Sequence, residues 1–333
     1  MPTIVGSLRR HVLAPSLRQV GFTERRFPVG SSAATRHLEA IPQAVVCGFE
    51  WGIGPCDLWE AERRLTLVDP YLRGFAYEGV TMAFTIRDAM SMYRTSRARD
   101  LLAGPGRPHI FLNYIGIGFA MARLPRPLWR RIVPDLSGVP YHPTMSWLAV
   151  DGYGFDLAYF DVDRWVGGQE RPRPYPWEDA PEYFMRAVDQ GIGRALWFVH
   201  AGRPDDVTTA VGRFAGERQA DLWAGVGLAA TFAGGCDSAG LTSLRRGAGG
   251  YRSHLAQGAV FAARARTFSG AVPPHTDETV VALTGLPVAA ASALADEVAV
   301  GGLPASRGEP AYEVWRRRVR AHFDAEPAGA PGS

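Results

Sequence analysis

The sequence predicts an all-α protein, a TPR-like α/α solenoid or toroid of repeated antiparallel helix pairs with an irregular N-terminal segment. Three observations carry that prediction. Apolar segments bearing glycine recur as VVCGFEWG (45–52), AYEGVTMAF (76–84), NYIGIGFAMA (113–122), VDGYGFDLAYF (150–160), VDQGIGRALWF (188–198), LWAGVGLAATF (222–232) and LAQGAVFAARA (255–265). Their first glycines, Gly48, Gly79, Gly116, Gly152, Gly191, Gly225 and Gly258, are separated by 31, 37, 36, 39, 34 and 33 residues, near the length of one helix–turn–helix unit. Shorter amphipathic pieces lie between them, and strict period-two alternation of the strand type is scarce.

In chain order, residues 1–35 read as an N-terminal extension, in which QVGFTERRF predicts a short extended segment. Residues 36–324 read as one helical repeat domain. Its glycine segments are expected to be inner helices. A helix-interior glycine costs about 1 kcal/mol relative to alanine, a cost offset where small residues let helix backbones approach closely. The two glycines of each G-x-G pair stand about 200° apart around the helix, so an inner helix can be approached from two sides. CDLWEAERRL, TSRARDLLAG, PLWRRIVPDL, PDDVTTAVGRF and SAGLTSLRRG read as outer helices bounded by Pro or Gly. Ser96 and Asp205 stand where N-caps are expected. DRWVGGQERPRPYPWEDAP (163–181) is a long Pro/Gly-rich insertion, a lid or a linker. EVWRRRVRAHF (313–323) reads as a terminal helix with a solvated basic face, and residues 325–333 as a disordered tail.

Composition narrows the function classes. A net charge of +3 gives no case for nucleic acid as a partner. All 36 basic residues are arginine; without lysine there is no Schiff base, no enzyme-bound pyridoxal phosphate and no P-loop lysine. Three cysteines are too few for a disulfide framework, and Cys47 and Cys56 have no second pair with which to form a zinc site. No signal-peptide core and no membrane-spanning run of apolar residues is present, so a cytoplasmic protein without membrane contact is expected. GVGLAA (225–230) fits a dinucleotide fingerprint only as a string, because the preceding ERQADLW is helical in pattern. There is no G-x-S-x-G elbow, no H-E-x-x-H pair, no DDxxD-like motif and no EF-hand continuation after DVDRW (161–165). No metal and no organic cofactor is expected.

Candidate site residues follow from aligning the glycines. The position before each first glycine reads Cys47, Glu78, Ile115, Asp151, Gln190, Ala224 and Gln257. The position before that reads Val46, Tyr77, Tyr114, Val150, Asp189, Trp223 and Ala256. Equivalent positions of stacked helices point alike, so both columns are expected near one concave groove. Glu78, Asp151 and Asp189 are the candidate acid/base groups, since a carboxyl in an apolar pocket has a raised pKa. Tyr77, Tyr114, Gln190, Arg194, Trp223, His254 and Gln257 are the candidate ligand-binding residues. Arg73, Arg186, Arg194 and Arg264 lie on the same segments, and an ion-pair ladder between helices would use the same carboxylates without catalysis.

RGFAYEG (73–79), DGYGF (151–155), DQGIGRALWF (189–198), DLWAGVGLAATFAGG (221–235) and LAQGAVFAARAR (255–266) resemble, in order, blocks of the UnbL-like proteins, a family long labelled a domain of unknown function. The resemblance covers roughly 40–320. It implies a place in secondary metabolism, since members are encoded beside enediyne polyketide synthases, chiefly in actinobacteria. The implied partners are a hydrophobic polyketide intermediate, the synthase and its neighbouring enzymes. The expected activity is cofactor-free cyclisation, proton transfer or carbon–carbon bond formation on a polyene, enediyne or aromatic polyketide; the alternative is a scaffold that sequesters the intermediate or docks partner enzymes.

Overall fold

The computed structural model describes residues 16–91, 95–300 and 309–324. The protein is all-α. Fourteen α-helices are found among the described residues: α1 (Ala33–Ile53), α2 (Leu58–Thr66), α3 (Pro70–Ala89), α4 (Arg97–Ala103), α5 (Ile110–Met121), α6 (Trp147–Phe160), α7 (Pro181–Val199), α8 (Pro204–Gly212), α9 (Gly216–Ala233), α10 (Ser238–Gly247), α11 (Arg252–Ser269), α12 (Pro274–Thr284), α13 (Val288–Glu297) and α14 (Ala311–Asp324). No single one is long and apolar enough to cross a membrane.

The seven glycine segments are the interiors of α1, α3, α5, α6, α7, α9 and α11. Each of these packs on the next with its backbone in contact. A Cβ on Gly116 would lie 2.2 Å from Glu78 O, on Gly152 2.4 Å from Ile115 O, on Gly191 1.9 Å from Asp151 O, and on Gly225 1.9 Å from Gln190 O. From α5 onward the first glycine therefore meets the residue before the first glycine of the preceding helix. The second glycine serves the following helix: a Cβ on Gly118 would lie 2.1 Å from Ala149 O, and on Gly193 2.1 Å from Leu222 O. That division of labour explains two glycines in one helix, since the packing gained on both sides offsets poor propensity.

The pairing with outer helices is not carried through the chain. PLWRRIVPDL forms no α-helix; α5 connects to α6 through 3-10 turns at Arg126–Arg131 and Thr144–Ser146. Prolines at 127 and 134 remove backbone donors at both ends of that piece. Between α6 and α7 the insertion 163–181 holds a π-helical turn (Asp163–Gly167) and a 3-10 turn (Trp177–Asp179), with Trp165 and Trp177 buried. QVGFTERRF is a turn rather than an extended segment, closed by Arg25 N–H to Gly21 O at 2.9 Å and Phe27 N–H to Phe22 O at 3.0 Å. Its Val20 and Phe22 are buried in the core. Ser96 occupies the N-cap of α4, but its hydroxyl donates to Asp100 Oδ2 at 2.9 Å instead of capping. Asp205 is not a cap; it lies in the first turn of α8, where a negative charge complements the helix dipole. The tail 325–333 lies outside the described residues.

Two polar assemblies hold the ends of the series. The last carbonyls of α9, which have no partner within their helix, are met by side chains from five other helices. Thr276 Oγ1 donates to Thr231 O at 3.0 Å, Arg266 Nη2 to Phe232 O at 2.5 Å and Trp197 Nε1 to Gly234 O at 2.8 Å. Ala233 O is met by His37 Nε2 at 2.8 Å and by the Tyr71 hydroxyl at 3.0 Å. Early helices α1 and α3 are thereby fastened to late ones, and the Arg266 cation complements the negative end of the α9 dipole.

The second assembly docks α14. Its basic residues divide: Arg317 and Arg318 are exposed, as expected, whereas Arg316 is fully buried and Arg320 nearly so. Arg316 Nη1 lies 2.8 Å from Asp221 Oδ1 and 2.9 Å from Glu313 Oε2 and donates to the Tyr183 hydroxyl at 2.6 Å. Arg186 and Arg320 complete the neutralisation of Glu313, at 3.0 and 2.7 Å. Despite burial, these three cations hold the Glu313 carboxyl down to about 2. Arg316→Leu leaves Asp221 and Glu313 short of a buried counter-charge. It is expected to cost about 3–5 kcal/mol in urea denaturation; a loss below about 1 kcal/mol contradicts the network's role.

Candidate functional site

An interior-facing stripe on the glycine helices builds the site. Positions four and one before, and three and seven after, each first glycine fall within about 80° of one another around a helix. The position three after reads Met82, Phe119, Phe155, Arg194, Leu228 and Phe261 from α3 to α11, and every one lines an internal cavity. Seven after, Arg123, Tyr159, Phe198, Phe232 and Ala265 do the same from α5 to α11.

Two slots result. The first, a narrow cleft with a cavity volume of about 40 Å³, lies between α3, α5, α6, α7, α9 and α11, with Phe111, Leu148 and Phe261 among its walls. The second, equally narrow with a cavity volume of about 60 Å³, lies between α1, α3, α5, α6 and α7, with Val20 also in its lining. Phe75, Arg194 and Phe198 line both. The walls are apolar except for Glu78 and Arg194, and for Arg123 paired with Asp156 in the second slot.

Glu78 is the residue with an unspent function. Its side chain is 2 % exposed and lines the second slot, and no described residue offers its carboxyl a hydrogen bond or an ion pair. Burial pushes its pKa up to about 8; the nearby Arg194 charge opposes the rise and Asp151 adds to it. The carboxyl is therefore neutral at pH 7 and can donate a proton. Arg194, 6 % exposed, pairs with Asp151, and its guanidinium lies 5.0 Å from the Phe155 ring centre. No described acceptor takes its remaining N–H groups. Asp151 is fully buried and also receives Gln190 Nε2 at 2.7 Å; Gln190 in turn reaches the Tyr312 hydroxyl of α14 at 3.0 Å. Burial raises the Asp151 pKa against the pull of Arg194 and Gln190.

The structure thus brings together Glu78, Asp151, Gln190 and Arg194. Tyr77, Tyr114, Asp189 and Trp223 stand one position further from the glycine, 100° around the helix, and lie off the slots for that reason; Gln257 and His254 share the stripe position on α11 but belong to the α14 network. Asp189 points away from both slots and is held by Arg218, whose Nε and Nη2 donate at 3.0 and 2.6 Å. Tyr77 packs on His109, with ring centres 4.8 Å apart, and the Tyr114 hydroxyl lies 2.8 Å from His142 Nδ1. Trp223 is buried off the slots. Gln257 accepts from Arg316 Nε at 2.9 Å. Burial and the charges of Arg320 and Arg316 bring His254 down to about 4, so it is a neutral neighbour of the α14 network. Asp189→Asn is expected to destabilise by about 3 kcal/mol, because Arg218 is left buried against a neutral partner. Ligand affinity should be unchanged, which titration calorimetry with the refolded variant checks.

Among the described residues no three His, Cys, Asp or Glu stand close enough to hold a metal ion. GVGLAA lies inside α9, not at a helix start, and its glycines meet Gln190 O and Leu255 O rather than space for a phosphate. A family model described as "Protein of unknown function (DUF1702)" matches residues 4–323, nearly the whole chain. The chain belongs to the DUF1702 family. No curated protein and no solved structure matches it. For this DUF1702 chain the chemistry must accordingly be read from the slots themselves. An apolar cleft offers one neutral carboxyl as acid or base. Beside it stands one cation with free N–H groups, able to stabilise negative charge on an oxygen.

Proposed function

We propose that this DUF1702 protein is a cofactor-independent biosynthetic protein that transfers a proton on a polyene, enediyne or aromatic polyketide intermediate. The observation that carries the reading is Glu78: a buried carboxyl without a protein partner, facing an apolar slot beside Arg194. Glu78 acts as general acid or base. Arg194 binds an oxygen of the ligand and is held in place by Asp151 and Gln190. Phe75, Phe155 and Phe198 give the flat faces on which a conjugated chain packs. The resemblance to UnbL-like proteins supports a polyketide as ligand, and a cytoplasmic site of action beside the synthase.

The near-absence of polar groups from the first slot favours a second reading, a carrier that shelters the intermediate. Incubating the purified protein with the polyene product of the synthase, with and without the neighbouring enzymes, separates the two by mass spectrometry. Conversion by the protein alone supports catalysis. Binding without conversion unless other enzymes are added supports the carrier.

A further inference from the structure

Every charged group of the two slots except Arg123 and Asp156 stands at their junction. Arg194 lines both slots together with Phe75 and Phe198, and Glu78 lies on the second-slot side of it. The stripe that forms the walls runs without interruption from α3 to α11. Past the junction the first slot has no charged side chain, so nothing there would neutralise an anionic head group. In the second slot Arg123 and Asp156 satisfy one another. At the junction, two polar groups more than nine-tenths buried have unspent hydrogen-bonding capacity.

We propose that the two slots are halves of one binding site for a single elongated, uncharged, apolar molecule that carries an oxygen acceptor near its middle, placed between Arg194 and Glu78. This rests on the ligand-binding reading above and narrows it. The ends of the chain lie in the two slots, and its central carbonyl or ether oxygen takes the free N–H groups of Arg194. Molecules with a charged terminus are rejected, because either end would be desolvated among aliphatic and aromatic side chains without a partner. A compact molecule filling one slot leaves the other without a ligand and gains correspondingly less.

Titration calorimetry with symmetrical dialkyl ketones, from dipropyl to dioctyl ketone, tests this without knowledge of the natural ligand. One ketone is expected to bind per chain at every length. Affinity should rise about fourfold per added methylene and continue rising through the longest member. The alkane of the same length as dioctyl ketone should bind at least about tenfold more weakly, for lack of the central acceptor. The straight-chain acid of that length should bind more weakly still. Leu228→Trp obstructs the first slot and Val45→Trp the second, both at half-buried lining positions. Each should weaken dioctyl ketone about 100-fold while leaving dipropyl ketone within about threefold. Circular dichroism confirms that each variant is folded, and the wild-type length series stands without them. Two short ketones per chain, or dioctyl ketone indifferent to either blockade, overturns the single-site inference and leaves the ligand-binding reading intact. Alkane binding as tight as ketone overturns the central oxygen. If no ketone binds at any length, the inference fails together with the reading beneath it.

Discussion

Glu78→Gln is expected to lower turnover about 10²–10⁴-fold, the usual worth of a positioned acid or base, while ligand affinity stays within about threefold. The amide keeps the shape and hydrogen-bonding capacity of the neutral carboxyl, so only the transferable proton is lost. The same substitution has a signature in stability. The Glu78 carboxyl titrates near 4.5 when exposed and near 8 in the folded protein. Below the lower value both states are protonated. As pH rises between the two, the unfolded chain releases its proton and the folded chain retains it, so stability falls until the folded group ionises. The wild type should therefore lose on the order of a few kcal/mol between about pH 5 and pH 8 through this one group. Urea denaturation of Glu78→Gln should lack that component of the slope. A variant with the wild-type slope would show that the carboxyl is ordinary.

Gly191→Ala is expected to destabilise by about 3 kcal/mol or more, a large penalty for adding one methyl group. The new Cβ would stand 1.9 Å from Asp151 O and 2.7 Å from Phe155 N. Both are backbone atoms of α6, so no side chain can swing aside, and α6 and α7 must separate. Asp151 and Gln190 flank that contact, which would carry the displacement to Arg194 as well. Gly212→Ala is the control. It ends α8 with nothing within 4 Å of the added carbon, and is expected to stabilise by about 0.5 kcal/mol by restricting the unfolded chain. Equal effects at the two glycines in chemical denaturation would remove the packing explanation.

The recurrent glycines made the inner helices legible because close backbone contact excludes every larger residue, a constraint that composition cannot hide. The site was legible only in part. Choosing the positions beside the glycines located Glu78, Asp151 and Gln190, yet it also drew in Tyr77, Tyr114 and Asp189, which face away by helical geometry. Counting three and seven residues beyond each glycine would have given the cavity face, from Met82 and Phe119 through Arg194 to Phe232 and Phe261. Other features rest on partners distant in sequence. Arg218 neutralises Asp189 from 29 residues away, and Arg316 is buried through Asp221 and Tyr183 rather than by its own helix pattern. No periodicity within EVWRRRVRAHF could announce that its charges meet others in the interior. The absent helix between α5 and α6 was marked by its two prolines, whose effect on the backbone outweighs the amphipathic pattern between them.

The ionisation of Glu78 itself is the most direct test. Carbon NMR of protein labelled at its glutamate carboxyls, with the Glu78 resonance assigned by its loss in Glu78→Gln, follows that group alone through a pH titration. The structure calls for a midpoint near 8, with a further change when an apolar ketone is added. A midpoint near 4.5, indifferent to ligand, would mean that the carboxyl is solvated and faces no apolar cleft, and the proposed chemistry would have no acid.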